Sequence, residues 1–428
     1  MDANFQMDKY KCSRILYIIE ATIEYFISIA VGTVYLAKLT ASIGISDSIT
    51  GILTSFVSLG CGFQLISIFL SHKKPVKPWV TILHIISQMF FACLYFVPIF
   101  HFSRLAKTII FVLILLMAHI IHNIINSPKT NWFMSLVDDH KRGRFTASKE
   151  ITSLIGGMLF SYFMSWMIEH FESKGDTRTA FILGGITLIT LMVLHSFTLI
   201  FSKEKLEKTD EAKPILLEIK SLFKNKTLLK IILVPVLWNV ASCSLLPFMG
   251  TYQTKELGFT TTFASLIIII GSLVRVLSSR PMGKFADKFS FSNMLLICFG
   301  CEIAAFLIAM FISPSNGQVL YTLYYIFYMV GMAGINSSLI NLIYDYVDIS
   351  QRTSALALMQ TLSGTAGFLT TLAMSILVSK IQENSNIVFG TTIYAQQILA
   401  LIGLLIVIVL IIYMITVIKK IKTPKNKS

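Results

Sequence analysis

Two glutamates lie one helical turn apart inside an apolar stretch near the N-terminus, at Glu20 and Glu24. A charge at the centre of a bilayer costs about 3 kcal/mol, and two like charges one turn apart also repel each other. Both costs fall when at least one of the two carboxyl groups holds a proton. The spacing therefore predicts a proton-binding pair that loads and releases protons.

A second group of polar side chains lies in a later apolar stretch. At about 100° per residue they fall within an arc of about 100° on one helix face. They are His119, His122, Asn123 and Asn126. Because the unperturbed pKa of histidine is about 6.5, the two histidines are candidates for a proton relay or for solute ligands. His84 and His195 each stand alone in the sequence, and we expect both to be structural.

Candidate solute-binding side chains occur in two more apolar stretches. They are Trp238 and Asn239 in one stretch and Tyr325, Tyr328 and Asn336 in the other. No strong cation accompanies the two glutamates apart from the histidines, which favours an uncharged or cationic solute over an anion. Arg275 and Glu302 are expected to form a structural ion pair.

The elements that position these side chains are predicted from composition. The chain has 428 residues, of which 55% are hydrophobic and 14% charged, against roughly 25% charged in soluble domains. Apolar runs of about 20 residues recur along the chain and predict transmembrane helices, since open strands would leave backbone groups unpaired in lipid. We predict twelve spans, at residues 14–38, 46–70, 79–100, 105–126, 147–170, 179–201, 229–253, 260–280, 291–312, 318–344, 353–379 and 388–418.

The placement of basic residues predicts the orientation. Of the 36 Lys and Arg residues, 28 lie in the termini and in the loops on the same side, and 7 lie in the opposite loops. This bias predicts a multi-pass protein of the plasma membrane with both termini in the cytoplasm. The net charge of +14 then faces anionic lipids, and no nucleic-acid partner is expected.

The two halves of the chain align with each other. The segments that begin at Val137 and Val347 match without gaps at an offset of 210 residues, pairing Asp138 with Asp348 and Gly157 with Gly367. Each half would hold six spans, so the halves are parallel repeats, as in transporters with two bundles. The predicted domains are an N-terminal bundle (1–201), a cytoplasmic loop (202–228) and a C-terminal bundle (229–428).

A short motif extends this argument to a family. The stretch GKFADKFS, with Gly283, Asp287 and Lys288, resembles the loop signature of the Major Facilitator Superfamily of secondary transporters. More narrowly, residues 132–158 are similar to a group of transporters from Gram-positive gut bacteria. The resemblance implies an all-α membrane fold of two six-helix bundles, and a central cavity lined by the first, fourth, seventh and tenth spans.

The resemblance also implies cytoplasmic latches between the halves. Asp287 would face the basic Arg142 and Arg144, and the basic segment SHKKPVK would face Asp345 and Asp348. The two latches would have opposite polarity and would break when the inner side opens. In the first half, Ser67 and Ser71 stand where the signature has glycine and aspartate.

These features predict a carrier of one small solute that works by alternating access and is driven by protons. Two alternatives remain open. The first is coupling to sodium, because carboxylate and amide oxygens also bind sodium. The second is a membrane sensor of the same fold that transports no solute. The sequence contains no GxxxxGK[ST] nucleotide loop, no dedicated catalytic set and no HExxH cluster. We therefore expect no enzyme activity, no cofactor and no metal. We also expect the protein to be a monomer.

Overall fold

A computed structural model describes residues 9–70, 75–137, 142–205, 221–344, 346–347, 352–388 and 390–421. This part of the chain is almost entirely helical. A two-stranded antiparallel hairpin, with strands Ile387–Val388 and Thr391–Thr392, interrupts the last connection between helices. The helices are α1 Lys11–Ala30, α2 Thr33–Ile43, α3 Asp47–Thr54, α4 Phe56–Gly62, α5 Gln64–Leu70, α6 Lys77–Cys93, α7 Arg104–Met134, α8 Arg142–Glu172, α9 Thr177–Phe201, α10 Lys226–Thr251, α11 Thr261–Phe289, α12 Phe291–Ala309, α13 Gly317–Tyr344, α14 Arg352–Glu383 and α15 Ala395–Thr416.

Each predicted span falls on helical structure. Within the described ranges, nine helices are long and apolar enough to cross a membrane, and they correspond to the fourth to twelfth predicted spans. The first span is a pair of helices, α1 and α2, that meet at an angle of 43°. The second is divided into the short helices α3, α4 and α5, and α6 in the third has 17 residues. The twelve-span count is therefore supported in full for nine spans and stays a prediction for the first three.

Polar residues at the helix starts explain where several helices begin. The side-chain oxygen of Ser103 accepts a hydrogen bond from the amide of Ala106 at the start of α7. Asp176 caps α9 in the same way, and Asn225 caps α10. Such residues satisfy amide groups that have no partner within the first helical turn. These short polar segments separate one apolar run from the next.

Backbone contacts divide the chain into two compact units. The first contains residues 1–32 and 66–212, and the second contains residues 33–65 and 213–428. In the first unit, α1 packs against α8 and α9, and α6 packs against α7 and α9. In the second, α10 packs against α14 and α15, and α12 packs against α13. The predicted domains, 1–201, 202–228 and 229–428, remain a prediction, since the second unit also takes in residues 33–65.

An aromatic cluster joins α1 to the last turns of α7 in the first unit. The rings of Tyr17 in α1 and Phe133 in α7 stack with centroids 4.3 Å apart, and Trp132 stacks on Phe133 at 4.5 Å. The indole nitrogen of Trp132 donates a hydrogen bond to the carbonyl of Lys203, just after α9. Burial of these rings holds the last turns of α7 against the bundle.

The second unit contains a polar contact between the ends of three of its elements. The ammonium of Lys255, in the π-helical turn Tyr252–Glu256, contacts one carboxylate oxygen of Asp47 in the first turn of α3. The amide of Gln382 in α14 donates a hydrogen bond to the other oxygen at 3.0 Å. Both oxygens of this buried carboxylate are therefore satisfied, which fixes the start of α3 in this unit.

We predict that Gly184→Ala destabilises the protein by about 1–3 kcal/mol, the range for overpacking a filled site. An added Cβ in α9 would lie 2.6 Å from the ring of Tyr95. That ring cannot move away easily, because its buried hydroxyl donates a 2.6 Å hydrogen bond to the carbonyl of Ala30. The measurement is thermal unfolding of the detergent-purified protein.

The matched control is Gly300→Ala in α12, where an added Cβ meets no atom within 4 Å. Alanine favours a helix over glycine by about 1 kcal/mol, so this variant should unfold at the native temperature or above it. Equal unfolding temperatures for Gly184→Ala and the native protein would contradict the packing described here.

Candidate functional site

A buried lysine joins the two glutamates that the sequence analysis selected. The ammonium nitrogen of Lys129 lies 2.7 Å from Oε1 of Glu20 and 2.6 Å from Oε2 of Glu24. The side chain of Lys129 is 2% exposed and that of Glu20 is 0% exposed, whereas Glu24 is 19% exposed. We call Glu20, Glu24 and Lys129 the charge triad. It extends from the closed interior of the first unit toward a more open side.

Two helices place the charge triad. Glu20 and Glu24 are one turn apart on α1, so both carboxylates reach the same region. Lys129 reaches them because α7 does not end at the predicted residue 126 but continues through Pro128 to Met134. A proline inside a membrane helix is tolerated when neighbouring groups satisfy the freed carbonyl. The expectation that no strong cation accompanies the glutamates is therefore wrong.

Three histidines from three helices surround the carboxylates. Nε2 of His195 in α9 lies 3.1 Å from Oε1 of Glu20, and Nδ1 of His122 in α7 lies 3.5 Å from Oε1 of Glu24. The ring of His84 in α6 lies between them, with its centroid 4.2 Å from the ring of His195 and 6.3 Å from that of His122. We call these residues the histidine group. His84 and His195 are thus part of the site, and the expectation that they stand alone is wrong.

The site carries an unbalanced charge. The three members of the charge triad together have one net negative charge when all are ionised. Several of its buried polar atoms also lack a hydrogen-bond partner. They are Glu20 Oε2, Glu24 Oε1, His84 Nδ1 and His122 Nδ1. Unpaired charge is costly in a protein interior, and one more positive charge would balance the charge triad.

A proton fits this site better than a metal ion does. The nearest nitrogen and oxygen atoms of Glu20, His84 and His195 lie within 4.8 Å of one another, and so do those of Glu24, His84 and His122. However, the ammonium of Lys129 already binds one oxygen of each carboxylate. A divalent ion placed among these groups would be repelled by that fixed positive charge. A proton adds one charge and needs no displacement of Lys129.

The rest of the predicted stripe on α7 lies near the histidine group. His119 is buried, and its ring meets the edge of Phe91 in α6 at a centroid distance of 5.0 Å. The side chain of Asn123 donates a hydrogen bond to the carbonyl of His119, in its own helix. Asn126 is exposed. Their role as solute ligands stays a prediction.

The predicted cavity residues of the second unit lie in two helices. Trp238 in α10 is buried against Phe299, with ring centroids 5.7 Å apart, and Asn239 accepts a weak hydrogen bond from the thiol of Cys243. In α13, Tyr328 stacks near Tyr325 at 6.2 Å, and Asn336 is exposed. Their part in a solute cavity also remains a prediction.

The expected ion pair between Arg275 and Glu302 is not formed. Glu302 is fully buried in α12, and both of its carboxylate oxygens lack a hydrogen-bond partner. One oxygen lies against Gly331 in α13, where an added Cβ would approach it to 2.3 Å. The glycine therefore makes room for the carboxyl group.

For most residues of the predicted cytoplasmic latch, the structure does not describe the side chain. Gly283 and Lys288 near the end of α11 are exposed. Asp345 and Asp348 lie outside the described residues, and the side chains of Asp287, Arg142 and Arg144 are not described. The latch stays a prediction.

Comparison with known proteins identifies the family. The sequence profile of the Major Facilitator Superfamily matches residues 15–371. This chain belongs to the Major Facilitator Superfamily. The all-helical membrane fold and the family expected from the GKFADKFS motif are therefore confirmed, and the protein is a multi-pass membrane transporter rather than an enzyme. No curated protein matches the chain in sequence.

Solved structures show the same superfamily fold. The nucleoside transporter NupG is 18% identical with a TM-score of 0.69, over 96% of this chain and 100% of NupG. A D-xylose-proton symporter is 15% identical with a TM-score of 0.69, over 94% and 97% of the two chains. An auto-inhibited peptide transporter of the POT family is 13% identical with a TM-score of 0.70, over 97% and 98%. Like other members of the superfamily, the protein moves a small solute across a lipid bilayer.

We predict that Lys129→Met destabilises the protein by about 3–5 kcal/mol, the cost of removing one partner from a buried ion pair. Two carboxylates would then face each other in the bundle without a cation. The triple variant Lys129→Met, Glu20→Gln, Glu24→Gln removes all three charges and should recover most of the loss. Thermal unfolding in detergent measures both variants.

If Lys129→Met unfolds at the native temperature, the buried contacts of the charge triad are not what holds α1 against α7. If the triple variant is no more stable than Lys129→Met, the loss comes from packing of the lysine stem rather than from unpaired charge.

Proposed function

We propose that this protein is a proton-coupled secondary transporter in which the charge triad binds the coupling proton. The observation that carries the proposal is the sharing of one buried ammonium by two carboxylates, at 2.7 and 2.6 Å. With both carboxylates ionised the triad has one net negative charge, and one bound proton makes it neutral. Loading and release of a proton therefore change the charge of a buried site by one unit.

Glu24 is the most exposed member of the triad, since its side chain is 19% exposed, Lys129 is 2% exposed and Glu20 is fully buried. A proton that arrives at Glu24 weakens its bond to Lys129, while Glu20 keeps the ammonium. The contact between α1 and α7 then rests on one carboxylate rather than two. Such a change lets protonation favour one access state over the other, as coupled transport requires.

The solute is proposed to be small, polar and without net negative charge. Lys129 is already neutralised by two carboxylates, so the site has no spare cation for an anionic solute. The structural neighbours transport a nucleoside, D-xylose with a proton, and peptides. These classes guide the choice of test solutes, and His119, Trp238, Asn239, Tyr325 and Tyr328 remain candidate ligands.

Sodium is the alternative coupling ion. It prefers oxygen ligands, and Oε2 of Glu20 and Oε1 of Glu24 have no hydrogen-bond partner. The groups beside them, however, are the imidazoles of the histidine group, whose nitrogen atoms can accept a proton but do not supply the oxygen ligands that sodium prefers. This composition favours proton coupling.

The proposed orientation places both termini in the cytoplasm, with the protein in the plasma membrane as a monomer. Moving Lys129 from a loop into the bundle lowers the count of basic residues on the cytoplasmic side from 28 to 27, against 7 on the other side. The bias that sets the orientation is unchanged in sign.

The test is uptake of radiolabelled uridine, D-xylose and dialanine into proteoliposomes. With a pH gradient, acidic outside, we expect one of these solutes to accumulate, and a protonophore to abolish the accumulation. In Glu24→Gln the amide cannot take up the proton, so gradient-driven accumulation should be lost. Exchange of labelled for unlabelled solute moves no net proton and should persist in this variant.

The matched control is Glu383→Gln, which changes an exposed carboxylate at the end of α14 and should accumulate solute at the native rate. Accumulation driven by a sodium gradient and insensitive to pH would overturn the proton proposal. If none of the three solutes accumulates under a proton or a sodium gradient, the result would favour the alternative of a membrane sensor that transports no solute.

A further inference from the structure

The histidine group connects the two carboxylates by a route that does not pass through Lys129. It begins at the more open end of the site, where His122 is 24% exposed beside Glu24. It ends at the closed interior, where His195 is 1% and Glu20 0% exposed. His84, which is also fully buried, lies between the other two histidines. The only described contacts that join the open end to Glu20 are therefore the ammonium and this row of imidazoles.

The steps along the row are short. The ligand atoms of Glu24, His122 and His84 lie within 4.8 Å of one another, and so do those of His84, His195 and Glu20. His84 belongs to both sets. Two hydrogen bonds through one water reach about 5.5 Å, so one water or one ring rotation closes each remaining gap. The last step, from His195 Nε2 to Glu20 Oε1, is already a 3.1 Å hydrogen bond.

The direct route between the carboxylates is less suitable. The ammonium of Lys129 fills it, with a hydrogen bond to each carboxylate. A proton that passed this way would require the lysine to give up one of its own protons. The neutral amine left behind would no longer balance either carboxylate, which is costly in the interior.

We propose that His122, His84 and His195 form a proton path that carries the coupling proton between Glu24 and Glu20 around Lys129. The inference rests on the proposed function, because it assumes that the charge triad binds the proton. It assigns a role to His84 and His195, neither of which touches Lys129 directly in the contacts described. The path allows the proton to reside on either carboxylate while the ammonium stays in place.

The protons balance at every step. His84 Nε2 accepts a hydrogen bond from the amide of Gln88 at 3.3 Å, which leaves its proton on Nδ1 in the neutral ring. His122 and His195 each take a proton on the unprotonated ring nitrogen and give up the proton on the other nitrogen. At His84 the proton is taken up by Nε2, so the amide of Gln88 must turn until its Oε1, which has no hydrogen-bond partner, accepts from the new N–H. No proton is gained or lost. The proton that leaves Glu24 is matched by one that reaches Glu20 from Nε2 of His195.

Few other ionisable groups face this path. Tyr17, on α1 one turn before Glu20, is buried, and the ammonium of Lys149 in α8 lies 3.5 Å from its hydroxyl. Among the described contacts, the other ionisable groups that touch the path are Glu20 and Glu24 on α1 and Lys129 on α7. The amide of Gln88 lies beside His84 on α6, and His119 lies one turn before His122 on α7.

The test needs no solute, because the proton itself is the probe. Proteoliposomes on a solid-supported membrane receive a step to lower pH, and the transient current reports the charge displaced into the protein. In the native protein we expect the proton to reach Glu20. In His84→Ala its arrival should slow about 100-fold, the scale of one positioned proton-transfer group. The charge displaced within the native transient should then fall to that of Glu20→Gln.

Two further measurements separate a proton-carrying role from a structural one. Added imidazole should restore the lost charge in His84→Ala, where it can fill the space, and should not restore it in Glu20→Gln. His84→Phe keeps a ring of similar size but carries no proton, so it should behave like His84→Ala and should not respond to imidazole. His101→Ala, which changes an exposed histidine outside the helices, is the control and should give the native transient.

The outcomes distinguish the two proposals. If Glu20→Gln, Glu24→Gln keeps the native transient, the charge triad does not bind the proton, and both proposals fail. If that double variant loses the transient while His84→Ala and His84→Phe keep it at the native rate, the path fails and the proton-binding triad stands. Loss in His84→Ala that imidazole does not reverse would also overturn the path, since it would show that His84 only supports the packing.

Discussion

The first unit depends on the need to neutralise Lys129 inside the bundle. An ammonium that is 2% exposed must have carboxylate partners, and both come from the same face of α1. This requirement sets the register of α1 against α7. It also requires α7 to continue past Pro128, and the stacked rings of Trp132 and Phe133 hold that extension in place. The length of α7, its register against α1 and the aromatic packing at its end thus all position Lys129 against Glu20 and Glu24.

The same contact creates the imbalance on which the proposed function rests. Two carboxylates and one ammonium leave one negative charge, and the surrounding helices supply no further permanent cation in hydrogen-bonding contact within the described residues. They supply three imidazoles instead, which are charged only when a proton is bound. A site with a fixed second cation would be neutral at all times and would have no use for a proton.

The sequence predicted the helices better than it predicted the site. Apolar runs of the right length located the fourth to twelfth spans, because bilayer thickness alone determines that signal. Lys129 was missed because polar residues and Pro128 made the end of α7 read as a loop. Yet Lys129 lies seven residues after His122, about two helical turns, on the same face as the predicted stripe. His84 and His195 could not be found in this way, since their neighbours are on other helices and are set by tertiary packing.

The choice of lysine over arginine at this position follows from the geometry. A guanidinium binds a single carboxylate through two parallel hydrogen bonds and is held in that one orientation. An ammonium is a compact charge with three rotatable donors, and here two of them serve Glu20 and Glu24 separately. When either carboxylate takes a proton, the ammonium can keep the other without turning its side chain. A shared lysine therefore allows the two glutamates to exchange a proton while the contact between α1 and α7 is never fully broken.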